Sequence, residues 1–582
     1  MDDKAFAPSM QPRAAGPTKA GRAGGKPPRT DVGTLVLHWL VAITMTVSLA
    51  TGLRISADAP TAILSKALSP WLPQGEIWTV HFVASLVLFF SATVYLLYIA
   101  RAGLGGRIAL TKMRLLTMKG VPSRMRWNAV NVALHWVLYG LVVVLTATGI
   151  ALYCGFGGWV VAVHAASAIA VLAYTLIHIV AHFGFGGWQQ LLRVFKPARL
   201  VPSARVKQAP VAVALLAGLP VSFALAWFDY ASRDELTVRA ASSPVTLDGA
   251  FDEAAWASAR PVHVRTMQGD NLGGTGESRV EVRAVRDAQK IYFAMRWEDP
   301  TRSLARLPMR KGADGWRIVG TRAGNADVSD FYEDKFSIIF STSDAFGSGG
   351  STHFGPKPSA EHPSSLNERG LHFTEGHLID MWQWKASRGG LLGYMDDQYI
   401  GPIRNASADE VAKGARYQGG YWNDSGRAFY TYNFAFQGPG GYQGPVQPRV
   451  LPKDPAATAA KLGTFDLANA DAPFTEGSQW WMLDTETVPY SKEADDRIPV
   501  GTVMPGVLIA GEYAGDRANV RAGARWKDGY WTLEVSRDLV TGSATDQDFL
   551  PGRELFVWVA VFDHTQTRHT RHVRPIRLQL AE

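Results

Sequence analysis

Five stretches of the chain are nearly continuous apolar runs, at roughly 32–53, 77–100, 128–152, 159–183 and 209–228. Each reaches the roughly 20 residues a helix needs to cross the hydrocarbon core of a bilayer. Five such lengths in succession are rare in soluble proteins, so the pattern predicts five transmembrane helices. Beyond residue 230 the pattern changes. "SRVEVRAVRD" followed by "KIYFAMRWED" alternates apolar and polar across a short turn, and "NVRAGARW", "KDG" and "YWTLEVSRD" repeat this around an Asp-Gly turn. "DKFSIIFST" and "ELFVWVAVFD" add strands, and helical periodicity is scarce. The pattern predicts an all-α membrane helix bundle followed by an all-β sandwich with long loops. The expected divisions are a basic, disordered tail over 1–31, a membrane domain over 32–229 and a β domain over 230–582.

Charge placement orients the bundle. Lys4, Arg13, Lys19, Arg22, Lys26 and Arg29 precede the first run. Arg101, Arg107, Lys112, Arg114, Lys119, Arg124 and Arg126 follow the second, and Arg193, Lys196, Arg199, Arg205 and Lys207 follow the fourth. The other connections carry few basic residues. The positive-inside rule then predicts a cytoplasmic N-terminus and a β domain outside the cytoplasm. The net charge of +8 is thus a topology signal and gives no reason to expect nucleic-acid binding. No cleavable signal peptide is evident, and the first helix would act as an anchor. The single cysteine, Cys154, excludes an intrachain disulfide and covalent c-type haem, which needs C-x-x-C-H.

The membrane half contains an internal repeat. "LVLHWLVAITMTVSLATGL" in the first run matches "VALHWVLYGLVVVLTATGI" in the third, which pairs His38 with His135 and Gly52 with Gly149. "VHFVASLVL" and "VHAASAIAV" likewise pair His81 with His164. A duplicated helix pair predicts a four-helix bundle with a cofactor in its core. All six histidines of this half, with His178 and His182 added, fall inside the predicted helices. Imidazoles at membrane depth are costly without partners, and as a set they point to ligation.

His164 and His178 are 14 residues apart. At about 100° and 1.5 Å per residue this places them on nearly one face, about 21 Å apart along the axis. His81 begins the second run on the outer side, level with His164. His38 begins the first run on the inner side, level with His178, and His135 competes with it there. His182, one turn further on, is expected near the surface. Zinc would want three or four ligands at one level, commonly with Cys or carboxylate. Opposed histidines without carboxylates suit two haems, one at each level.

These residues resemble the di-haem cytochrome b561 superfamily, including the cytochrome b subunits of bacterial formate dehydrogenases and nickel–iron hydrogenases. The resemblance rests on "LHW" at His38 and on the 14-residue spacing. It implies haem b ligated by His38, His81, His164 and His178, with His135 as a departure on the third helix. It also implies electron exchange with quinone or quinol in a bacterial inner membrane.

In the β half, "VTLDGAFDEAAWASARPV" resembles the start of family 9 carbohydrate-binding modules and DOMON-like sandwiches. "YEDKFSIIFS", "HLIDMWQWKAS" and "VFDHTQTRHTRHVRPIRLQL" together resemble the haem-binding domain of ethylbenzene dehydrogenase gamma-type subunits. That family holds one b-type haem, commonly between Met and Lys. Here His372 and His377, with Met381 close by, stand before Trp382, and His569 and His572 stand near the end. His372 and His572 are the expected ligands, with His353 a further candidate.

The leading expectation is an electron-transfer protein. It would pass electrons between the quinone pool and a periplasmic cytochrome or oxidoreductase through three haems. The sequence shows no nucleophile with a placed base and no phosphate loop. A second reading makes the β domain a carbohydrate or small-ligand sensor lined by Trp382, Trp384, Tyr421 and Trp422. A third is a membrane reductase acting directly on metal ions or another small acceptor.

Overall fold

A computed structural model describes residues 29–57, 62–68, 71–73, 77–198, 216, 220, 223–320, 330–344, 374, 376–405, 408, 417–438, 440–472, 474–566 and 568–581. Four helices long and apolar enough to cross a membrane are present among them. They are α1 (Val32–Ser56), α2 (Ile77–Arg101), α3 (Ser123–Tyr153) and α4 (Trp159–Leu191). The expected fifth run, 209–228, lies largely outside the described residues, and its end continues into a helical stretch over 223–231.

Local chemistry sets the helix ends. Asp31 caps α1 by accepting the Thr34 N–H at 2.8 Å and the Tyr98 hydroxyl at 2.7 Å. Gly33 leaves room for Tyr98, whose ring would lie 2.3 Å from a Cβ there. α4 runs eight residues beyond the predicted 183, and its helical geometry breaks at Gly186 and Gly187.

The helices pack most extensively as α1 on α2 and α3 on α4, the duplicated pairs. One apolar layer draws on all four: Val41 and Met45, Leu88 and Ala92, Leu138 and Val142, Val171 and Tyr174. Val36, Val143, Ile150, Leu176 and Val180 are exposed on the outer surface of the bundle, where lipid would cover them.

The C-terminal half is mostly β. Twelve strands make its main sheet: β1 (Glu235–Ala240), β2 (Val262–Thr266), β3 (Ser278–Arg286), β4 (Lys290–Glu298), β5 (Lys335–Ser341), β6 (Ile379–Lys385), β7 (Asp396–Asn405), β8 (Tyr417–Asn423), β9 (Arg521–Lys527), β10 (Tyr530–Asp538), β11 (Leu555–Phe562) and β12 (Ile576–Leu580). Their order is β8-β7-β6-β5-β11-β12-β1-β3-β4-β10-β9, with β2 beside β3. The pairings of β12 with β1 and of β1 with β3 are parallel and join two antiparallel halves. Those halves fold face to face. Phe293 of β4 stacks near Phe340 of β5 and Trp382 of β6, and Trp297 lies 4.6 Å from Phe336. The β9–β10 hairpin turns through Asp528 at φ 51° and Gly529 at φ 79°, the left-handed pair that a two-residue turn requires.

The sandwich half of the expectation therefore matches the architecture. Two of its proposed glycan-lining aromatics do not. Trp382 and Trp384 are 0% exposed in the sandwich core, while Trp422 is 51% exposed. The strand period explains this, because alternate positions of β6 face inward.

Candidate functional site

The level of His81 and His164, the outer one in the orientation expected from charge placement, is built twice from the same parts. On α1, the Thr51 hydroxyl stands 2.7 Å from the Val47 carbonyl, and its oxygen lies 3.0 Å from His81 Nδ1. The Ser48 carbonyl lies 3.1 Å from the same nitrogen. On α3, Thr148 stands 2.7 Å from the Val144 carbonyl, and its oxygen lies 2.9 Å from His164 Nδ1. The Leu145 backbone, at the position equivalent to Ser48, also reaches His164. The threonine proton is spent on its own helix, so the threonine oxygen and the carbonyl both act as acceptors. Each histidine must then carry its proton on Nδ1 and direct the Nε2 lone pair away from the threonine. Glycine completes the cradle. A Cβ on Gly52 would stand 3.0 Å from His81 Cε1, and one on Gly149 would stand 3.4 Å from His164 Cε1.

This arrangement passes a simple fit test for haem. Two neutral imidazoles from α2 and α4 are held by their Nδ1 atoms, and Nε2 of each is the atom that would hold a haem iron. The recurrence of Thr-Gly is visible in the sequence, but the role of Thr51 and Thr148 as orienting groups is not.

At the inner level, the His178 ring centroid lies 5.5 Å from that of His135 and 4.5 Å from that of His182. Tyr174 stacks on His178 at 5.3 Å. His135 Nδ1 donates to the Asn131 carbonyl one turn back. His38 is within electrostatic reach of both His178 and His135. The structure therefore brings His38, His135, His178 and His182 together. His182 is half-buried one turn beyond His178, and Gln190 folds back to 3.3 Å from its Nδ1.

In the β half, His353 and His372 lie outside the described residues. His377 precedes β6, and its carbonyl accepts the Thr374 hydroxyl. His569 is half-buried against Phe562, with Nδ1 donating to the Thr570 carbonyl at 2.7 Å. His572 differs from both. It is 4% exposed, Nδ1 has no hydrogen-bond partner, and burial pushes the imidazole down to about 3. Beside it, the Trp558 indole donates to the Val573 carbonyl at 3.3 Å. Trp558, Ile339 and Met381 are cross-strand neighbours on the outward face of β11, β5 and β6, within one apolar cluster.

The two halves meet at this loop. Val573 packs with Ile55, Ile77 and Trp78 at the outer ends of α1 and α2, one turn from His81. The Gly158 N–H, just before α4, donates to Glu277 at 2.6 Å. Asp229 holds the connection by accepting the Tyr153 hydroxyl and pairing with Arg233 and Arg574.

A histidine-cored apolar bundle that docks a β-sandwich over the end carrying His81 and His164 fits a membrane cytochrome with a second, β domain. The chain belongs to the ethylbenzene dehydrogenase family, which matches residues 253–574, and its helical half matches prokaryotic cytochrome b561 over residues 29–197. The cytochrome b561 family carries electrons on haem b in the membrane, so the helical half is a haem b electron-transfer domain. No curated protein matches the chain in sequence. Among solved structures it is similar to a putative carbohydrate-binding protein from Bacteroides uniformis ATCC 8492. The identity there is 8%, over 60% of this chain and 100% of that one, with a TM-score of 0.23. So low a score carries no argument.

Proposed function

We propose that the protein transfers electrons between the quinone pool and a periplasmic redox partner, using two haems b in the membrane and one in the β domain. The outer membrane haem is held by His81 and His164. The inner one is held by His178 with His38, and His135 is the competing partner. In the β domain His572 is one ligand. Met381, on the neighbouring outward face, or His372 supplies the other. The chain has five spans and sits in a bacterial inner membrane with its N-terminus in the cytoplasm.

The observation that carries this reading is the twofold Thr–His–Gly cradle at the outer level. Haem b supplies the one-electron chemistry when bound. The chain supplies the rest. Thr51 and Thr148 fix the imidazole tautomers, and Gly52 and Gly149 make room for the rings. The apolar layer around Met45, Leu88, Leu138 and Val171 excludes water between the levels. Trp78 and Val573 hold the β domain against the outer end.

The sensor reading loses two of its four aromatics to the sandwich core, which leaves the electron-transfer reading ahead. The haem content of purified full-length protein, by pyridine haemochrome, tests the proposal. Three non-covalent haems b per chain are expected, with quinol reducing them. Two haems and a β domain that takes up none would overturn the outer-haem assignment.

A further inference from the structure

In the sandwich, three carboxylates converge around a single guanidinium, and a fourth, Asp424, lies beside Asp546. Asp380 lies on β6, Asp397 on β7, Asp424 just after β8, and Asp546 in the loop after β10. Arg537 of β10 pairs with Asp380 at 2.7 Å and lies 3.4 Å from Asp546 and 3.8 Å from Asp397. Asp380 also accepts the Gln547 N–H through the same oxygen that Arg537 uses. Thr541 serves one oxygen of Asp546, and Thr545 serves one oxygen of Asp424.

What remains is a set of carboxylate oxygens with no donor. Oδ1 of Asp380, Asp424 and Asp546 has no hydrogen-bond partner. Asp397 is 0% exposed, and neither of its oxygens has one. One oxygen each from Asp380, Asp397 and Asp546 lies within 4.8 Å of the others. Oxygens bound across one calcium ion, at about 2.3–2.6 Å each, stand up to about 5 Å apart. One arginine cannot neutralise four acids, and a buried, unpaired carboxylate is strongly disfavoured. An all-oxygen donor set selects a hard cation over zinc, copper or iron. The walls are protein groups, which favours calcium over magnesium, because magnesium usually keeps several of its waters.

We propose that Asp380, Asp397 and Asp546, with Asp424 beside Asp546, hold one calcium ion that clamps the loop after β10 onto β6 and β7. This site is separate from the histidine levels and independent of the electron-transfer reading. The competing state is shared protons. Burial and a carboxyl–carboxyl contact with Asp546 push Asp424 up to about 8, and burial with repulsion from Asp546 pushes Asp380 to about 6.

The test uses full-length, haem-loaded protein in detergent. Elemental analysis is expected to find one calcium per chain that prolonged chelation removes. Chelation should lower the melting temperature, CaCl2 should restore it, and MgCl2 at the same concentration should not. Terbium in the stripped site should luminesce through Trp382, whose ring lies 4.8 Å from the Arg537 guanidinium, and CaCl2 should quench that signal. Asp397→Asn should abolish calcium uptake and the calcium-dependent shift. If that variant does not fold, Trp382→Phe locates the ion. It should keep the calcium-dependent shift and lose most of the terbium emission. Absence of calcium, equal melting with CaCl2 and chelator, and no terbium signal would establish shared protons and overturn the proposal. Calcium retained by Asp397→Asn, or full terbium emission from Trp382→Phe, would overturn its location.

Discussion

The Arg571 guanidinium lies 5.7 Å from the centroid of the Trp78 indole, and this contact bridges the β domain and the outer end of the bundle. A cation over an indole is worth about 0.5–2 kcal/mol, depending on desolvation. Val573, two residues on, adds apolar burial to the same contact. The pair places the most buried imidazole of the C-terminal loop beside the helix end that carries His81.

Val573→Asp should therefore undock the β domain without unfolding either half. A charge set among Ile55, Ile77 and Trp78 reverses a contact worth about 1.5–3 kcal/mol for a buried Val. Hydrogen exchange should rise in the segment around 571–574, and the β-domain haem should be reduced more slowly than wild type in stopped flow. An unchanged reduction rate would show that this contact does not carry the transfer.

Thr51→Val and Thr148→Val should each weaken the outer membrane haem about 10–100-fold, the usual cost of removing a group that orients a ligand. Valine keeps the shape and loses the acceptor for Nδ1. Transfer of haem to an apo-acceptor and redox titration of the two membrane haems provide the readout. The inner haem should keep its midpoint, and a shift there instead would contradict the assignment of levels.

His81→Ala and His164→Ala should delete the same haem, and His178→Ala the other. His38→Ala should match His178→Ala, while His135→Ala should leave two membrane haems. Redox-resolved spectra of each variant decide. Loss of a haem in His135→Ala but not in His38→Ala would give the inner site to the duplicated partner.

A reporter enzyme active only outside the cytoplasm should work when fused after Asp229 and fail when fused after Arg107. Activity at the second point, or silence at the first, would reverse the orientation.

His564 offers a pH test away from the haem ligands. Burial alone would lower its pKa, but the hydrogen bond to Asp563 at 2.6 Å, with the charges of Asp563, Asp334 and Asp471, holds it above 6.5. A raised histidine stabilises the fold fully below its unfolded value and loses that contribution as pH rises through the raised value. The β domain of wild type should thus lose stability from about pH 6.5 upward relative to His564→Gln. Denaturant titrations at several pH values, followed by tryptophan fluorescence, measure the difference. A constant gap between the two proteins across that range would rule the coupling out.

Much of this structure is written locally. Helix length, the Thr-Gly and His-Trp recurrences and the Asp528–Gly529 turn all depend on neighbours in sequence, so the apolar pattern exposes them. The joining of the two sheet halves is not local. β1 pairs in parallel with β12, more than 300 residues away, and no periodicity encodes that partner. The candidate site divides in the same way. His81 and His164 could be placed by helical arithmetic, whereas Thr51 and Thr148 act across to another helix. The fold of Gln190 back onto His182 is not legible either, because the end of the apolar run is not the end of α4. Trp382 and Trp384 read as ligand-facing aromatics only until the register of β6 turned them inward.

Val41, Met45, Leu88, Ala92, Leu138, Val142, Val171 and Tyr174 form an apolar layer between the two histidine levels. On the proposed reading, with one haem at each level, an electron passes from one level to the other across this layer. It moves through most of the hydrocarbon thickness and works with or against the membrane voltage, at about 2.3 kcal/mol per 100 mV for a full crossing. On that reading the bundle is an electrogenic element. An energised membrane would bias which way it runs, and collapsing the voltage would release that bias.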